Sequence, residues 1–596
     1  MYKFKNSLKS LTILQANVAK GATSHELALS LANDFQIDVI LVQEPYIFKE
    51  ISRRITKCHS AYETFTPLDS WETRPRVVTY TRKGAGIQAS QLRPTTSHDL
   101  LFLQLQSTNG STLTIINVYN APIGSQDENQ AVKTLFNLPP SAFNSTFLAG
   151  DLNLHHPRWD PLCPTISNTA ESFTNWLDTH SFNLLSPIGE ATHNRGNVLD
   201  LAFLSGPYTA DTTIAQHLDS TSDHRSLLTT LDLDTRTEDP IRRLRIDTLD
   251  DKLFTTLLAE NIRNLAIQPT PTLITTADLD RLASDITQTI QMAYTGSAQR
   301  SLSQNTGQPW WNKACKTAAQ ENRLFKSVES KRKLRKEVRK AERDFWISKL
   351  DSVKEMNDVF KMTKWHQSTG AYRTPPLTNP QDRSLAVTTQ DKRDLLISNL
   401  LTNSAEVCDI PFDSPTTAIC SISFPEITAQ DIQTAILRAG NTAPGIDEIS
   451  TKILPLAWLQ IEDRILQLFQ KCLEIGHHPE CFRSAIVAII PKPNKADRTS
   501  PRSYRPIALL SVLGKGLERL IAKKMSWIAI NCKVLAKQQF GALPLRSSVD
   551  LTTCLTHDVE KALNSGLKTT LLTMDIKGAF DAVLPGRLIR RLREQG

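Results

Sequence analysis

From Leu11 to about Asp234 the chain alternates short apolar, β-rich runs with turns and amphipathic segments. Leu11–Val18, Val39–Val42, Leu100–Gln106, Leu113–Tyr119, Thr146–Ala149 and Leu199–Leu204 predict strands, whereas His25–Phe35 and Glu171–His180 predict helices. Strands interleaved with helices imply an α/β domain. Polar residues of chemical interest stand where these runs stop, and a strand end on a rigid sheet is where loops carry chemistry.

The pattern changes beyond residue 232. Asp232 to Arg245 is charged and contains Pro240, which marks a boundary. Residues 250–365 predict mostly helix, with Leu249-Asp250-Asp251 as a helix start, and residues 370–420 are rich in Thr, Pro, Ser and Asn, as in a linker. Three segments result: an α/β domain over 1–235, a mostly helical basic linker region over 236–420, and a further domain over 421–596.

Charge sharpens the middle segment. The formal net charge is +8, and residues 311–350 hold 13 Lys or Arg against 5 Asp or Glu, so the rest is near neutral. Lys331, Arg332, Lys333, Arg335 and Lys336 cluster there. They read either as the solvated face of a long helix or as a nucleic-acid track or nuclear import signal. Nine scattered cysteines with no Cys-x-x-Cys spacing indicate neither a disulfide framework nor a zinc knuckle. No apolar run is long enough for a membrane span or signal peptide, so no membrane partner is expected.

The chemistry lies in Gly150-Asp151-Leu152-Asn153 and Ser222-Asp223-His224, with Gln15-Ala16-Asn17, Gln43-Glu44-Pro45 and Asn117-Val118-Tyr119 closing earlier apolar runs. Carboxylates, a carboxamide and a histidine at strand ends suit metal-assisted cleavage of a phosphodiester. Singly, Gly-Asp-x-Asn is a common turn and Ser-Asp-His a common cap. In this order, together with Leu199-Asp200-Leu201, they resemble the apurinic-type endonucleases of the endonuclease/exonuclease/phosphatase superfamily.

That resemblance implies a four-layer sandwich of two β-sheets flanked by helices, with the site where strand ends of both sheets meet. It also implies residue roles. Glu44 would bind Mg²⁺ (or Mn²⁺), with Asp223 within reach of the metal. Asp151 would orient or deprotonate the attacking water, and Asn153 would hold the same water or phosphate. Tyr119 and Asn17 would hydrogen-bond the scissile phosphate. His224, its ring fixed by Asp200, would stabilise the pentacovalent phosphorus. Thr192 is a further candidate for substrate contact.

Farther on come Ala443-Pro444-Gly445-Ile446-Asp447, Arg483 to Pro493, Ser503-Tyr504-Arg505-Pro506, Gln538-Gln539-Phe540-Gly541 and Met574-Asp575-Ile576-Lys577-Gly578-Ala579-Phe580. This series resembles the fingers and early palm of non-LTR (LINE-like) reverse transcriptases. Asp575, closing a predicted strand Thr569–Met574, would be the first metal-binding carboxylate, and Phe580 the gate against a ribose 2′-OH. Lys492, Arg502 and Arg505 are candidates for template or triphosphate contact, with surface charge the alternative for Lys492 and Arg505. The aromatic-x-Asp-Asp hairpin of such polymerases does not occur before Gly596, so a truncated, inactive polymerase half is expected.

The combined expectation is a multidomain non-LTR retrotransposon protein. A Mg²⁺-dependent endonuclease would nick target DNA for priming on the element RNA template, in the nucleus. Two rivals are a superfamily phosphatase acting on lipids, which the polymerase-like motifs oppose, and a degenerate fragment acting only as a basic nucleic-acid-binding protein. Target-site sequence and oligomeric state are not encoded in any legible way.

Overall fold

A computed structural model of the chain describes residues 9–50, 53–67, 74–107, 110–163, 165–235, 242–264, 275–302, 309–325, 327–353, 359, 374–401, 408–419, 421–438, 440, 442–492, 495, 497–576, 579 and 583–596. These form two compact units. One is Met1–Ile241 with Leu302–Leu396 and Pro491–Tyr504; the other is Arg242–Ser301 with Ile397–Ile490 and Arg505–Gly596.

The first unit is built on β1 (Lys9–Asn17), β2 (Val39–Gln43), β3 (Ile47–Glu50), β4 (Arg53–Thr56), β5 (Tyr62–Phe65), β6 (Val77–Arg82), β7 (Ile87–Leu92), β8 (Leu100–Ser107), β9 (Thr112–Tyr119), β10 (Thr146–Asp151), β11 (Asn183–Leu184), β12 (Asp200–Ser205), β13 (Ala210–Ile214) and β14 (Leu227–Thr235). Helices to residue 351 are α1 (Ala22–Asp34), α2 (Gln130–Phe136), α3 (Asn168–Thr179), α4 (Asp251–Asn264), α5 (Thr276–Ser297), α6 (Lys313–Phe325) and α7 (Val328–Asp351). Two six-stranded sheets result, ordered β13-β14-β1-β2-β6-β5 and β11-β12-β10-β9-β8-β7.

Alternation along each strand explains the layering. In β2, Val39 and Leu41 point into the core between the sheets, while Ile40 and Val42 point outward beneath α1. In β8, Leu101, Leu103 and Leu105 face the other sheet, and Leu100 and Phe102 face α2 and α3. Strands buried on both faces read as continuous apolar runs, which is why they were legible as strands. The result is the four-layer α/β sandwich that the resemblance implied.

The outer layer over the first sheet holds more than α1. Trp310, Cys315, Ala318 and Ala319 on and before α6, with Leu334, Val338 and Ala341 on α7, share one apolar core with Leu14, Leu27, Leu31, Val78 and Tyr80. Residues in the basic middle segment therefore pack on the nuclease-like sandwich itself.

The second unit is mainly helical. Phe254 and Leu258 of α4, Ile286 and Ile290 of α5, Ile461, Ile465, Leu468 and Phe469 of the helix Leu454–Ile475, and Leu517 and Leu520 of the helix Val512–Asn531 form its core. Asp250 opens α4 as predicted, its carboxylate accepting from the N–H groups of Lys252 and Leu253 at 3.0 Å. Gly445, in the Ala-Pro-Gly-Ile-Asp motif, packs so closely that a Cβ would lie 2.8 Å from backbone atoms of Leu510 and Ser511.

One predicted strand is absent. Thr569–Met574 is exposed chain outside any ladder, and Asp575 is likewise exposed. A strand persists only when a neighbour satisfies its peptide groups, and no described strand pairs with this stretch. Among the described residues no helix is long and apolar enough to cross a membrane.

Candidate active site

Register brings the site together. β9 and β10 run parallel with Tyr119 opposite Asp151, and β12 runs antiparallel with Asp200 opposite Asp151. Three strands thus place a phenol and two carboxylates abreast at one sheet end. Gly150 makes this close packing possible, since a Cβ there would lie 1.8 Å from the Val118 carbonyl oxygen. In the first sheet, parallel β1 and β2 set Asn17 opposite Gln43, with Glu44 next in the chain.

Side chains then join the two sheets. Asn17 Nδ2 donates to Asp151 Oδ2 at 2.9 Å, and Gln15 Nε2 donates to Asp200 Oδ1 at 3.3 Å. Deeper between the sheets, Gln43 Nε2 donates to Asn117 Oδ1 at 2.7 Å, and Asn117 Nδ2 donates to the Val78 carbonyl at 3.0 Å. A buried amide left unpaired is costly, so these bonds fix the sheets' relative placement.

His224 precedes β14, and its Nδ1 lies 2.8 Å from Asp200 Oδ2. Burial pulls the imidazole pKa down, but the charge and hydrogen bond of Asp200, with Asp151 and Asp223, outweigh it and hold His224 up at about 9. Asp151 moves the other way from a usual carboxylate. Burial first, then Asp200 and Glu44, push its carboxyl up against the opposing pull of His224 and Asn17. Its Oδ1 is buried with no hydrogen-bond partner.

Tyr119 Oη donates to Glu44 Oε1 at 3.1 Å, and Lys20 Nζ lies 2.8 Å from the same oxygen. The Arg76 guanidinium sits 5.3 Å from the Tyr119 ring centroid. Burial, then the charges of Glu44 and Asp151, raise the phenol's pKa, so it stays a donor. Asn153 adopts φ +47° just past β10, and its Nδ2 donates to the Asn120 carbonyl at 2.9 Å, tying the loop beside the site.

Seven predicted residues therefore converge: Asn17, Glu44, Tyr119, Asp151, Asn153, Asp200 and His224. Asp223 is half-exposed and pairs with His193 Nε2 at 3.4 Å, whereas the partners of Glu44 are Lys20 and Tyr119. Thr192 is 1% exposed, and its Oγ1 accepts from the N–H groups of Leu199 and Asp200 at 2.9 and 3.0 Å. It is thus a positioning residue for Asp200 with no exposed surface to offer a substrate.

His193, Gln15 and Lys20 went unrecognised as site residues in the sequence. The His193 ring lies 4.8 Å from that of His224, and ligand atoms of His193, Asp223 and His224 all fall within 4.8 Å of one another. Thr192-His193 follows a turn with no apolar run to mark it, so only the fold reveals it.

The polymerase-like residues have different surroundings. Lys492 Nζ donates to the Arg502 carbonyl at 2.8 Å, which ties those two together locally. Arg502, Arg505 and Asp575 are exposed. Phe580 lies outside the described residues.

Parts of the chain are similar to known proteins. Residues 113–228 match the family "Endonuclease-reverse transcriptase", and residues 490–596 match "Reverse transcriptase (RNA-dependent DNA polymerase)". One chain thus carries an endonuclease-type match followed by a reverse transcriptase match. It is 24% identical over 497 residues to the probable RNA-directed DNA polymerase from transposon BS of Drosophila melanogaster, covering 75% of this chain and 52% of that one. It is 30% identical over 148 residues to the corresponding X-element polymerase of the same species, covering 25% of this chain and 16% of that one. The chain thus spans about half of the first relative and less of the second. The endonuclease domain of TRAS1, a telomere-specific non-LTR retrotransposon, aligns over 37% of this chain and 99% of its own, at 15% identity and a TM-score of 0.31.

Proposed function

We propose that the endonuclease domain is a divalent-metal-dependent DNA endonuclease that nicks target DNA and leaves a 3′-OH. The observation that carries this reading is the orphaned Oδ1 of Asp151, buried beside Asp200 and within electrostatic range of Glu44 and His224. A carboxylate crowded by two others in a buried site is costly unless a cation joins it. Glu44, whose charge acts on Asp151, offers a hard oxygen donor that fits Mg²⁺ or Mn²⁺. When bound, such an ion supplies Lewis-acid stabilisation of phosphate charge.

The chain's own residues account for the rest. Asn17 locks one Asp151 oxygen, leaving Oδ1 to take the proton of the attacking water. The water oxygen forms the new bond to phosphorus, the bond to the 3′-oxygen breaks, and the departing 3′-oxygen takes a proton from solvent water to become the 3′-OH. Cationic His224, held by Asp200, donates to a nonbridging oxygen as charge accumulates. The Tyr119 phenol, kept protonated, donates to the same phosphate. A Mg²⁺-dependent plasmid-nicking assay with a chelator control tests the reading. Nicking that is indifferent to metal, or to Asp151→Asn, defeats it, and binding without nicking would favour the rival basic nucleic-acid-binding protein.

In the same reading the nick primes reverse transcription of the element RNA by the intact element's polymerase. The polymerase half of this chain is inactive because Asp575 lies in exposed, unpaired chain, and the protein works in the nucleus. The endonuclease-then-polymerase order and the basic block support this. Primer extension on an RNA template and imaging of the tagged chain test the two parts.

A further inference from the structure

The helical hairpin α6–α7 is more than a connection. Leu334, Val338 and Ala341 bury one face of α7 in the nuclease core. α6 is fastened to the same body, since Arg323 Nη1 donates to the His217 carbonyl at 3.0 Å. The helices are tied to each other by Ser330 Oγ donating to Asn322 Oδ1 at 3.2 Å. The hairpin is therefore held at a fixed position on the sandwich.

That position matters because of what α7 presents. Its first turn brings Lys331 to a cleft shared with His224, Asp223's neighbour Ser222, Asn194 and Arg225. Lys331 is half-buried, and both Arg335 and Asp223 act on its charge. From there Arg332, Arg335, Lys336, Arg339 and Arg343 line a single exposed groove. Their spacing of three and four residues is that of one helix face, at about 100° per residue.

Neighbouring charges fall elsewhere. Lys333 points across to Glu321 of α6, 2.5 Å away, so it does not belong to the row. Lys340 is exposed but does not line the groove, and neither do Glu337 and Glu342. From Arg332 to Arg343 the row extends about 16 Å at 1.5 Å rise per residue, the axial length of roughly five phosphates of one DNA strand.

We propose that α6–α7 is a working part of the nuclease, a backbone clamp in which Lys331 holds a phosphate flanking the scissile one and the Arg332–Arg343 row follows the same duplex outward. The proposal rests on the endonuclease reading above and adds to it where the substrate lies. It separates five exposed cations on one face from the remaining Lys and Arg of the block, which sequence alone could not sort. Duplex DNA is favoured over RNA because the row continues from the cleft beside His224.

The test uses the full chain and a fluorescent duplex in chelator, where binding is read without cleavage. Arg335→Gln with Arg339→Gln should weaken duplex binding and reduce the log–log salt slope by ~0.9 for each lost contact. Lys340→Gln, adjacent to Arg339 in sequence but outside the groove lining, should leave the slope unchanged. Arg335→Lys with Arg339→Lys should restore most binding, which guards against a folding defect. An unchanged slope in the double variant, an equal loss in Lys340→Gln, or a loss confined to single-stranded RNA overturns the clamp. Failure of the endonuclease reading is recognised separately, by His224→Ala nicking at the wild-type rate.

Discussion

Asp151 and Asp575 both close apolar runs, and they sit in opposite surroundings. Asp151 ends β10, which is paired on one edge to β9 and on the other to β12, and the carboxylate is fully enclosed. Asp575 follows a run in which Leu571 is 63% exposed, Leu572 78% and Met574 86%. The difference teaches that an apolar run becomes a site-bearing strand through its neighbours. Pairing fixes the direction of each side chain, and burial then tunes its charge. Where both are present, pKa values part: Asp151 is pushed up and His224 is held at about 9. Where both are absent, the motif is only composition.

The sharpest way to break this comparison is to remove the tuned groups. Asp151→Asn or His224→Ala should each lower Mg²⁺-dependent nicking by ~10²–10³, the usual cost of losing one donor or acceptor to the reacting centre. Duplex binding in chelator should persist. If His224→Ala nicks supercoiled plasmid normally, convergence at the strand ends has no catalytic meaning.

The second prediction asks whether the nuclease body extends to α7. Leu334 is fully buried against the sandwich. Leu334→Ala should therefore destabilise the nuclease unit by about 2–5 kcal/mol, as deletion of a buried leucine does. A melting curve of the full chain followed by a probe in the sandwich checks this. A free helix would give no shift.

The side chains of the candidate site were legible because each interrupts an apolar run at a strand end: Asn17, Glu44, Tyr119, Asp151 and Asp200. The apolar runs themselves marked the two-sided burial of the strands. Several elements were not legible. β14 reads as polar because Thr229, Thr230 and Asp232 interrupt it, yet Leu227, Leu231 and Leu233 face inward. Gln15, Lys20 and His193 act through partners 24 to 185 residues away in sequence, and no local pattern encodes such pairs. Thr192 was visible as a polar residue near Asp200, but its role as a backbone acceptor depends on a turn that only the fold defines. The basic block announced charge without saying which charges share a face.

A smaller effect should come from the Asp200–His224 pair. His224 is raised above its ordinary value of 6.5 to about 9. A raised pKa in the folded state stabilises the fold fully below about 6.5, and that contribution is lost as pH rises through about 9. Nicking that needs the imidazolium should fall over the same upper limb. Asp200→Asn should move that limb toward neutral pH, and a fall of about two units in the His224 pKa would reduce the rate at pH 8 by roughly tenfold. A pH–rate profile with an unchanged upper limb would show that Asp200 only fills space.

The last prediction concerns the other side of the comparison, where almost nothing should happen. Leu572 lies in an apolar run just as Leu148 does, but Leu148 is fully buried and Leu572 is 78% exposed. Leu148→Ala should cost about 2–5 kcal/mol, while Leu572→Ser should stay within about 0.5 kcal/mol, the usual range for exposed positions. The two changes are read by denaturant melts of the same chain, so solution conditions cancel. A large loss from Leu572→Ser would mean that the run packs against a partner in solution, and Asp575 would then have the enclosed surroundings that Asp151 already has. A null result places the difference between the two carboxylates in their neighbours, because apolarity of the preceding run is common to both.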